Sequence, residues 1–447
     1  MKQKKVDVLV AGGGTAGAIA GIAAARAGAE TLIVEKQRCL GGQFTAGLQG
    51  AWVGFSDKKK VIVKGIAWEM YHIFKQRGAL VEDDPETDVC FLYDTEVAKV
   101  VLDEMAANEK NLTCYLNTSI VDVLTEGDTV VGLLVLSEME LMEIRADVVI
   151  DCTGDAAVAF KCGAPFEYRD KKDIQPMSLI GRMAGVDMDR VKQYYDEHPP
   201  VHDAHVPPAW HDFKTFPGFM HFGLHDELEN VELPAHLEYL RSWLGIFTST
   251  PNPGEVTINC SGAIESHATE GFESRTGQEV FSMRTLYDVA EAFKTFVPGF
   301  ENAYLSSVAS LLGIRESRRI VGDYEVTLDD FLAAREFPDS IGRGAMPAGT
   351  HTPDGVTMCV YDLEPGKSMT IPYRCMLPKG KDGLLVAGRC VSYEPQVANC
   401  IRCMPQCMAM GEAAGVAAAM ASKAGVSPRN VDIPRLQKTL VDQNAII

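Results

Sequence analysis

The sequence predicts an α/β protein: a parallel sheet assembled from both ends of the chain, with an α+β segment inserted between them. Three stretches carry that expectation. Val6 to Glu35 reads VDVLVAGGGTAGAIAGIAAARAGAETLIVE, a strand, a glycine-rich turn, a helix of small residues and a second strand. Val148 to Asp155, VVIDCTGD, is a buried strand ending in a tight turn that returns the chain to the same sheet. Leu384 to Gly425 repeats this grammar near the far end, with LLVAGR as a strand and a small-residue helix behind it. Between them, residues 156–350 show scattered strands, many prolines and no helix–strand alternation. The expected division is therefore 1–155 and 351–447 for the sheet domain, with 156–350 as an inserted substrate domain.

The first turn needs each glycine for a different reason. Gly12 makes the tight turn, Gly14 lets the backbone approach a pyrophosphate, and Gly17 lets the helix lie close on the sheet. Phosphate oxygens would sit on the free N–H groups around Thr15 and Ala16, at the positive end of the helix dipole. Glu35, followed by Lys36, ends the second strand where a carboxylate accepts hydrogen bonds from an adenosine ribose. Gly28 closes the helix. A bound dinucleotide is the expectation. The loop Arg38-Cys39-Leu40-Gly41-Gly42-Gln43-Phe44-Thr45 offers a second close backbone approach at its glycine doublet. No cysteine falls between Gln43 and Trp52, which disfavours dithiol chemistry there, and no second glycine-rich strand-turn-helix follows. One dinucleotide held as a prosthetic group is the simpler reading.

Thr95 to Glu109 has helical periodicity with Asp94 as cap, and Cys114 to Ile144 is β-like with a turn at Glu126-Gly127-Asp128. Seven of the ten histidines lie between His198 and His236. His202 with His205, and His221 with His225, have ligand-like spacing, but the surrounding prolines favour a structured loop, and no metal is expected. Gly313 to Ile320, GIRESRRI, reads as a charged strand with Arg315, Ser317 and Arg319 on one side and Glu316 and Arg318 on the other. It is either a salt-bridged junction or an anion site. Pro405 starts the last long helix and Gly425 ends it. Cys400, Cys403 and Cys407 share a helical face, and packed thiols are favoured over an iron–sulfur cluster because a fourth thiol is missing.

The 447-residue chain carries a formal charge of −19, which opposes nucleic-acid and anionic-membrane partners. Twelve cysteines and no separable signal segment read as reduced thiols of a cytoplasmic protein. No run is long and apolar enough to span a bilayer.

Together, GGGTAG with Glu35, LGGQFTAG, VVIDCTGDAAVA, PMSLIGRMAGV, GIRESRRIVGDY, PYRCMLPKG, LLVAGRCVS and IRCMPQCMAMGEAAGVAAA resemble FAD-dependent oxidoreductases related to the flavin subunit of heterodisulfide reductase. The resemblance implies a glutathione-reductase-type FAD fold with a Rossmann-like, FAD-binding domain built from both chain ends. It implies that Gly12 to Gly17 and Glu35 hold the ADP half of non-covalent FAD, and that Gly42, Gln43 and Thr45 hold the pyrophosphate and flavin side. The Ile120 backbone would touch adenine, Gly154, Gly388 and Arg389 would lie along the cofactor, and the helix start at Ile401, Cys403 and Met404 would face the flavin pyrimidine. The cysteine-rich cluster sequences of heterodisulfide reductase are absent. Gly388-Arg389 replaces the glycine-aspartate ending of related flavoproteins, so no acid is assigned to the ribityl chain.

The expected activity is hydride exchange between flavin N5 and a small, anionic organic substrate. Arg315, Arg319, Arg374 and Arg402 are candidates for its carboxylate, and His351 or Tyr373 for the accompanying proton. The alternatives are a flavin-fold binding protein without catalysis and a tRNA-modifying flavoprotein. The electron acceptor or donor is not named by the sequence, and self-association into a homo-oligomer is left open.

Overall fold

A computed structural model of the chain describes all residues except 83, 85, 199–219, 243–244, 264–270 and 353–357. The main sheet places five parallel strands in the order Leu112–Tyr115, Thr31–Val34, Lys2–Ala11, Glu140–Asp151 and Leu384–Val386. The first half of Glu140–Asp151 pairs instead with Thr129–Ser137, which continues antiparallel to Thr118–Glu126. Both chain ends therefore contribute to one sheet. The central strands read as near-continuous Val, Leu and Ile because helices cover the sheet, and Val8, Leu9, Val10, Val149, Ile150 and Leu385 are fully buried.

The covering helices are Thr15–Arg26 and Met404–Ala424, which pack on each other through alanine and glycine. Asp94 caps the helix Thr95–Asn108 by accepting from the N–H groups of Glu96 and Val97, as its sequence suggests. Gly425, at φ 63°, ends the long helix. Cys403, with φ −58° and ψ 147°, separates that helix from the short helix Ala398–Arg402, so the three cysteines of this region do not share one continuous helix. The Cys403 and Cys407 thiols donate instead to the carbonyls of Asn399 and Arg402.

The second apolar cluster gathers around a five-stranded sheet ordered Met220–His221, Phe247–Ser249, Glu255–Ala263, Met177–Ala184 and Tyr304–Val308. One face of this sheet, with Leu179, Met183, Phe247 and Ile258, packs on the helix Phe272–Phe296 through Leu286 and Phe293. The alternate residues face the other way, toward the first sheet domain. The clusters change over between Leu312 and Ile320, so residues such as Phe331 and Ile341 pack with the main sheet well before Thr350.

The segment Gly313 to Ile320 departs from its expected extended form, since only Arg319–Ile320 is strand. Arg315 and Arg319 consequently diverge. Arg319 is buried against Glu316 at 2.9 Å and donates to the Tyr393 carbonyl, while Glu316 also receives Arg169 and Gln175. It is a structural ion pair.

Glu412, on the long helix, is buried and accepts from Ile66 N at 3.0 Å, at the start of the helix Ile66–Gln76. Burial pushes its carboxyl up to about 7. A carboxyl with a raised folded-state pKa binds its proton more tightly folded than unfolded, so stability falls as pH rises from about 4.5 to about 7 and then levels. Glu412→Gln keeps an acceptor for Ile66 N and removes the buried charge. At pH 8 the variant is expected to gain roughly 2–3 kcal/mol, with little gain at pH 5. Thermal unfolding at the two pH values tests this, and an equal or destabilising effect at both would refute it.

Candidate functional site

A cavity of about 620 Å³ lies between the ends of the parallel strands and the inner face of the second sheet. Its position follows from topology, because ligands bind beyond the carboxyl ends of strands in open α/β sheets. Of the expected cofactor residues, Gly12, Gly14, Thr15, Ala16, Glu35, Lys36, Gly42, Gln43, Ile120, Gly154, Gly388, Arg389, Cys403 and Met404 line it. Gly17, Thr45 and Ile401 do not; Ile401 is fully buried, and the Thr45 hydroxyl donates to the Leu40 carbonyl at 2.5 Å to hold the glycine-doublet loop.

The glycine-rich turn fits a dinucleotide by its bare surfaces. Gly12 sits at φ 91°, where a Cβ would press to 2.9 Å on the Cys152 carbonyl. A Cβ at Gly17 would fall on the Gly12 carbonyl, so this glycine sets helix-to-turn packing. At Gly14 a Cβ would meet nothing in the protein nearer than 4.0 Å, so the space before it belongs to the cavity. Gly41 N donates to Gly13 O at 2.8 Å, which brings the glycine doublet against the first turn. Glu35 accepts from Gly13 N and Gln37 N, both at 2.7 Å, so it braces the turn as well as facing the cavity.

An acidic group does reach the cavity beside Arg389, and it comes from the other strand end. Asp155 accepts from Arg389 Nη2 at 2.9 Å, and Arg389 Nη1 donates to Ser317 at 2.8 Å. Burial alone would raise the Asp155 carboxyl, but Arg389, Ser317 and Lys36 outweigh it and hold it below the usual range. The signal in the sequence is the Gly154-Asp155 pair within CTGD, of which only Gly154 is expected along the cofactor. Asp151, fully buried, accepts from Thr153, Val158 and Ala159 N–H groups and so fixes that turn and the start of the helix Ala157–Lys161.

Of the candidate substrate residues, the fold brings three together. Arg315, Arg402 and His351 line the cavity, beside Asn399 on the short helix Ala398–Arg402 and Cys403 and Cys407 at the start of the long one. Arg315 Nη1 donates to the Pro176 carbonyl at 2.7 Å, and Arg402 Nη2 to Asn399 Oδ1 at 2.6 Å. Neither guanidinium pairs with a carboxylate among the described residues, and Arg402 Nε is buried without a partner. Burial and then the Arg402 charge pull the Arg315 pKa down. Burial, then Arg315 and Arg402, hold His351 well below its ordinary value, so the ring is neutral.

Tyr373 and Arg374 are not brought to the cavity. The Tyr373 hydroxyl is buried on the Pro428 carbonyl at 2.9 Å, and Arg374 pairs with Asp339 at 2.9 Å while stacking on Tyr324. Both belong to the packing of the second chain segment, whose short 3-10 turn Tyr373–Met376 sequence periodicity could not orient. His221 packs between Tyr195 and Phe247, with its Nε2 on the Gly223 carbonyl, and His225 is exposed beside Asp226. His202 and His205 lie outside the described residues. Among the described residues no group of three or more His, Cys, Asp or Glu side chains is arranged for a metal, and no helix is long and apolar enough to cross a membrane.

The sequence pattern of a family described as FAD dependent oxidoreductase matches residues 7–440. Among solved structures, the chain is similar to a geranylgeranyl bacteriochlorophyll reductase-like protein from Thermoplasma acidophilum, with a TM-score of 0.51 and 14% identity over 99% of this chain and 85% of that one. It is also similar to p-nitrophenol 4-monooxygenase from Pseudomonas putida DLL-E4, with a TM-score of 0.47 and 12% identity over 96% and 82% of the two chains. The first likeness bears on the fold, and at such identities on nothing further.

Proposed function

Because this chain belongs to the FAD-dependent oxidoreductase family and is an FAD-dependent enzyme, we propose that it acts on a small anionic organic molecule held by Arg315 and Arg402. The observation that carries the reading is two guanidiniums on one cavity with no carboxylate on either among the described residues. Two such charges repel and are poorly solvated, and a bound carboxylate relieves both costs. FAD, when bound, supplies the two-electron chemistry, with hydride exchange at the flavin as the proposed step.

The chain's own groups would do the rest. Arg315 and Arg402 bind and orient the carboxylate with directional N–H donors. Neutral His351 can take up a proton, and a bound anion beside it would raise its pKa toward that of a working base. The N-terminus of the helix Met404–Ala424, where Cys403 and Met404 line the cavity, favours negative charge as electrons arrive. The motif likeness to the flavin subunit of heterodisulfide reductase supports the family reading, while the absence of cluster cysteines argues for a small-molecule partner. The acidic charge of the chain argues against a nucleic-acid partner, and its many cysteines suit a reducing, cytoplasmic setting.

The test is anaerobic bleaching of the purified flavoprotein by matched acids, amines and neutral sugars, followed by re-oxidation with oxygen, quinone or a protein carrier. Acids are expected to bleach or perturb the flavin. Bleaching by neutral compounds alone, with acids inert, would sink the proposal.

A further inference from the structure

The cavity continues past the arginines onto the inner face of the second sheet, and that floor presents polar groups to it. Thr248 and Thr257 are 6% and 5% exposed, both line the cavity, and they stand directly opposite each other on neighbouring strands. Neither hydroxyl has a hydrogen-bond partner among the described residues. Cross-strand threonines commonly satisfy each other, and these do not. Asn259, two residues along from Thr257 on the same face, accepts from Ser178 at 2.7 Å through Oδ1, leaving its amide N–H groups toward the cavity it lines. Gly50 lies over Thr257, where a Cβ would stand 3.4 Å from the hydroxyl, so the absence of a side chain keeps that hydroxyl reachable.

This row leads straight to the anion cluster. Ser178 and Gly313 exchange backbone hydrogen bonds at 3.0 and 2.7 Å, and Arg315, two residues on, reaches the Pro176 carbonyl beside them. Asn259 meets Ser178 directly, and Thr248, two strand spacings across and four residues along from Ser178, stands roughly 16 Å from it, so the strip recedes from the arginines in the order Asn259, Thr257, Thr248. A hydroxyl or amide that opens onto a cavity without a protein partner is free to bond a ligand there.

We propose that Thr248, Thr257 and Asn259 form a strip that reads hydroxyl groups, so that the substrate is a polyhydroxylated carboxylic acid. The inference rests on the anionic-substrate reading above and narrows it. The acid sits at Arg315 and Arg402, and its hydroxyls run along the strip. Ile180, Met220 and Phe222, which line the same floor, suit the C–H faces of such a skeleton.

The experiment is equilibrium titration of the holoenzyme, followed by perturbation of flavin absorbance. Gluconate and glucuronate are compared with hexanoate and cyclohexanecarboxylate, and sorbitol serves as a polyol without a carboxylate. At least one hydroxylated acid is expected to bind about tenfold or more tighter than its unsubstituted counterpart. Thr257→Val and Thr248→Val, near-isosteric on a strand, should remove most of that difference while leaving the unsubstituted acid unchanged. Equal or tighter binding of hexanoate and cyclohexanecarboxylate, or hydroxylated acids indifferent to both valine substitutions, overturns the strip and leaves the anion reading standing. Sorbitol binding as well as gluconate, or no acid binding at all, overturns the anion reading beneath it.

Discussion

Arg315→Lys is expected to weaken binding of a carboxylate ligand by about 1.5–3 kcal/mol while FAD content stays at one per chain. The arginine spends Nη1 on the Pro176 carbonyl and still has a planar fork to offer the cavity. A lysine keeps the charge, but its single ammonium cannot hold that carbonyl and present two parallel donors together. No carboxylate among the described residues depends on Arg315, so the fold has little to lose. Arg319→Lys is the internal contrast. Arg319 is 2% exposed and bonds Glu316 and the Tyr393 carbonyl at once, which a lysine cannot do with the same geometry, so its replacement should weaken the buried pair and lower stability rather than ligand affinity. Ligand titration and thermal unfolding of both variants separate the roles. Loss of flavin or of stability in Arg315→Lys, with normal affinity in the surviving holoenzyme, would make Arg315 structural.

That contrast also marks what the sequence could and could not reveal. The main sheet was legible because its strands are unbroken runs of Val, Leu and Ile punctuated by glycines that each face a physical demand, as at Gly12 and Gly17. Asp94 and Gly425 were legible because caps are local. The charged run from Arg315 to Arg319 misled, since strand alternation puts the two arginines on one side, whereas the chain turns at this domain junction and sends one to the cavity and one to Glu316. Tyr373 and Arg374 misled for a related reason: their partners, Pro428 and Asp339, are distant in sequence. The cavity floor was invisible for a third reason. Its strands Met220–His221 and Phe247–Ser249 are two and three residues long, too short for any period to register, and Thr248 meets Thr257 only through pairing.

The largest effect on the fold should come from the smallest change, Gly411→Ala. The helices Thr15–Arg26 and Met404–Ala424 meet backbone to backbone, and a Cβ at Gly411 would fall on the Ala16 carbonyl. At Gly415 it would fall on the Ala20 carbonyl and press to 2.9 Å on Ala23 and Ala24. Backbone cannot step aside as a flexible side chain can, so the helix pair must separate along its length. Alanine would return up to about 1 kcal/mol of helix propensity. Overpacking should exceed that and leave each variant about 2–3 kcal/mol less stable. Because Ala16 also lines the cavity, the shift reaches the glycine-rich turn and should loosen FAD as well. Gly277→Ala is the control: it lies on the exposed side of the helix Phe272–Phe296 with nothing within 4 Å of its Cβ, and should gain roughly 0.5–1 kcal/mol. Apparent thermal midpoints of the apo and FAD-loaded forms test the pair. Gly411→Ala matching Gly277→Ala in stability and flavin content would mean that the two helices do not pack as closely as the structure has them.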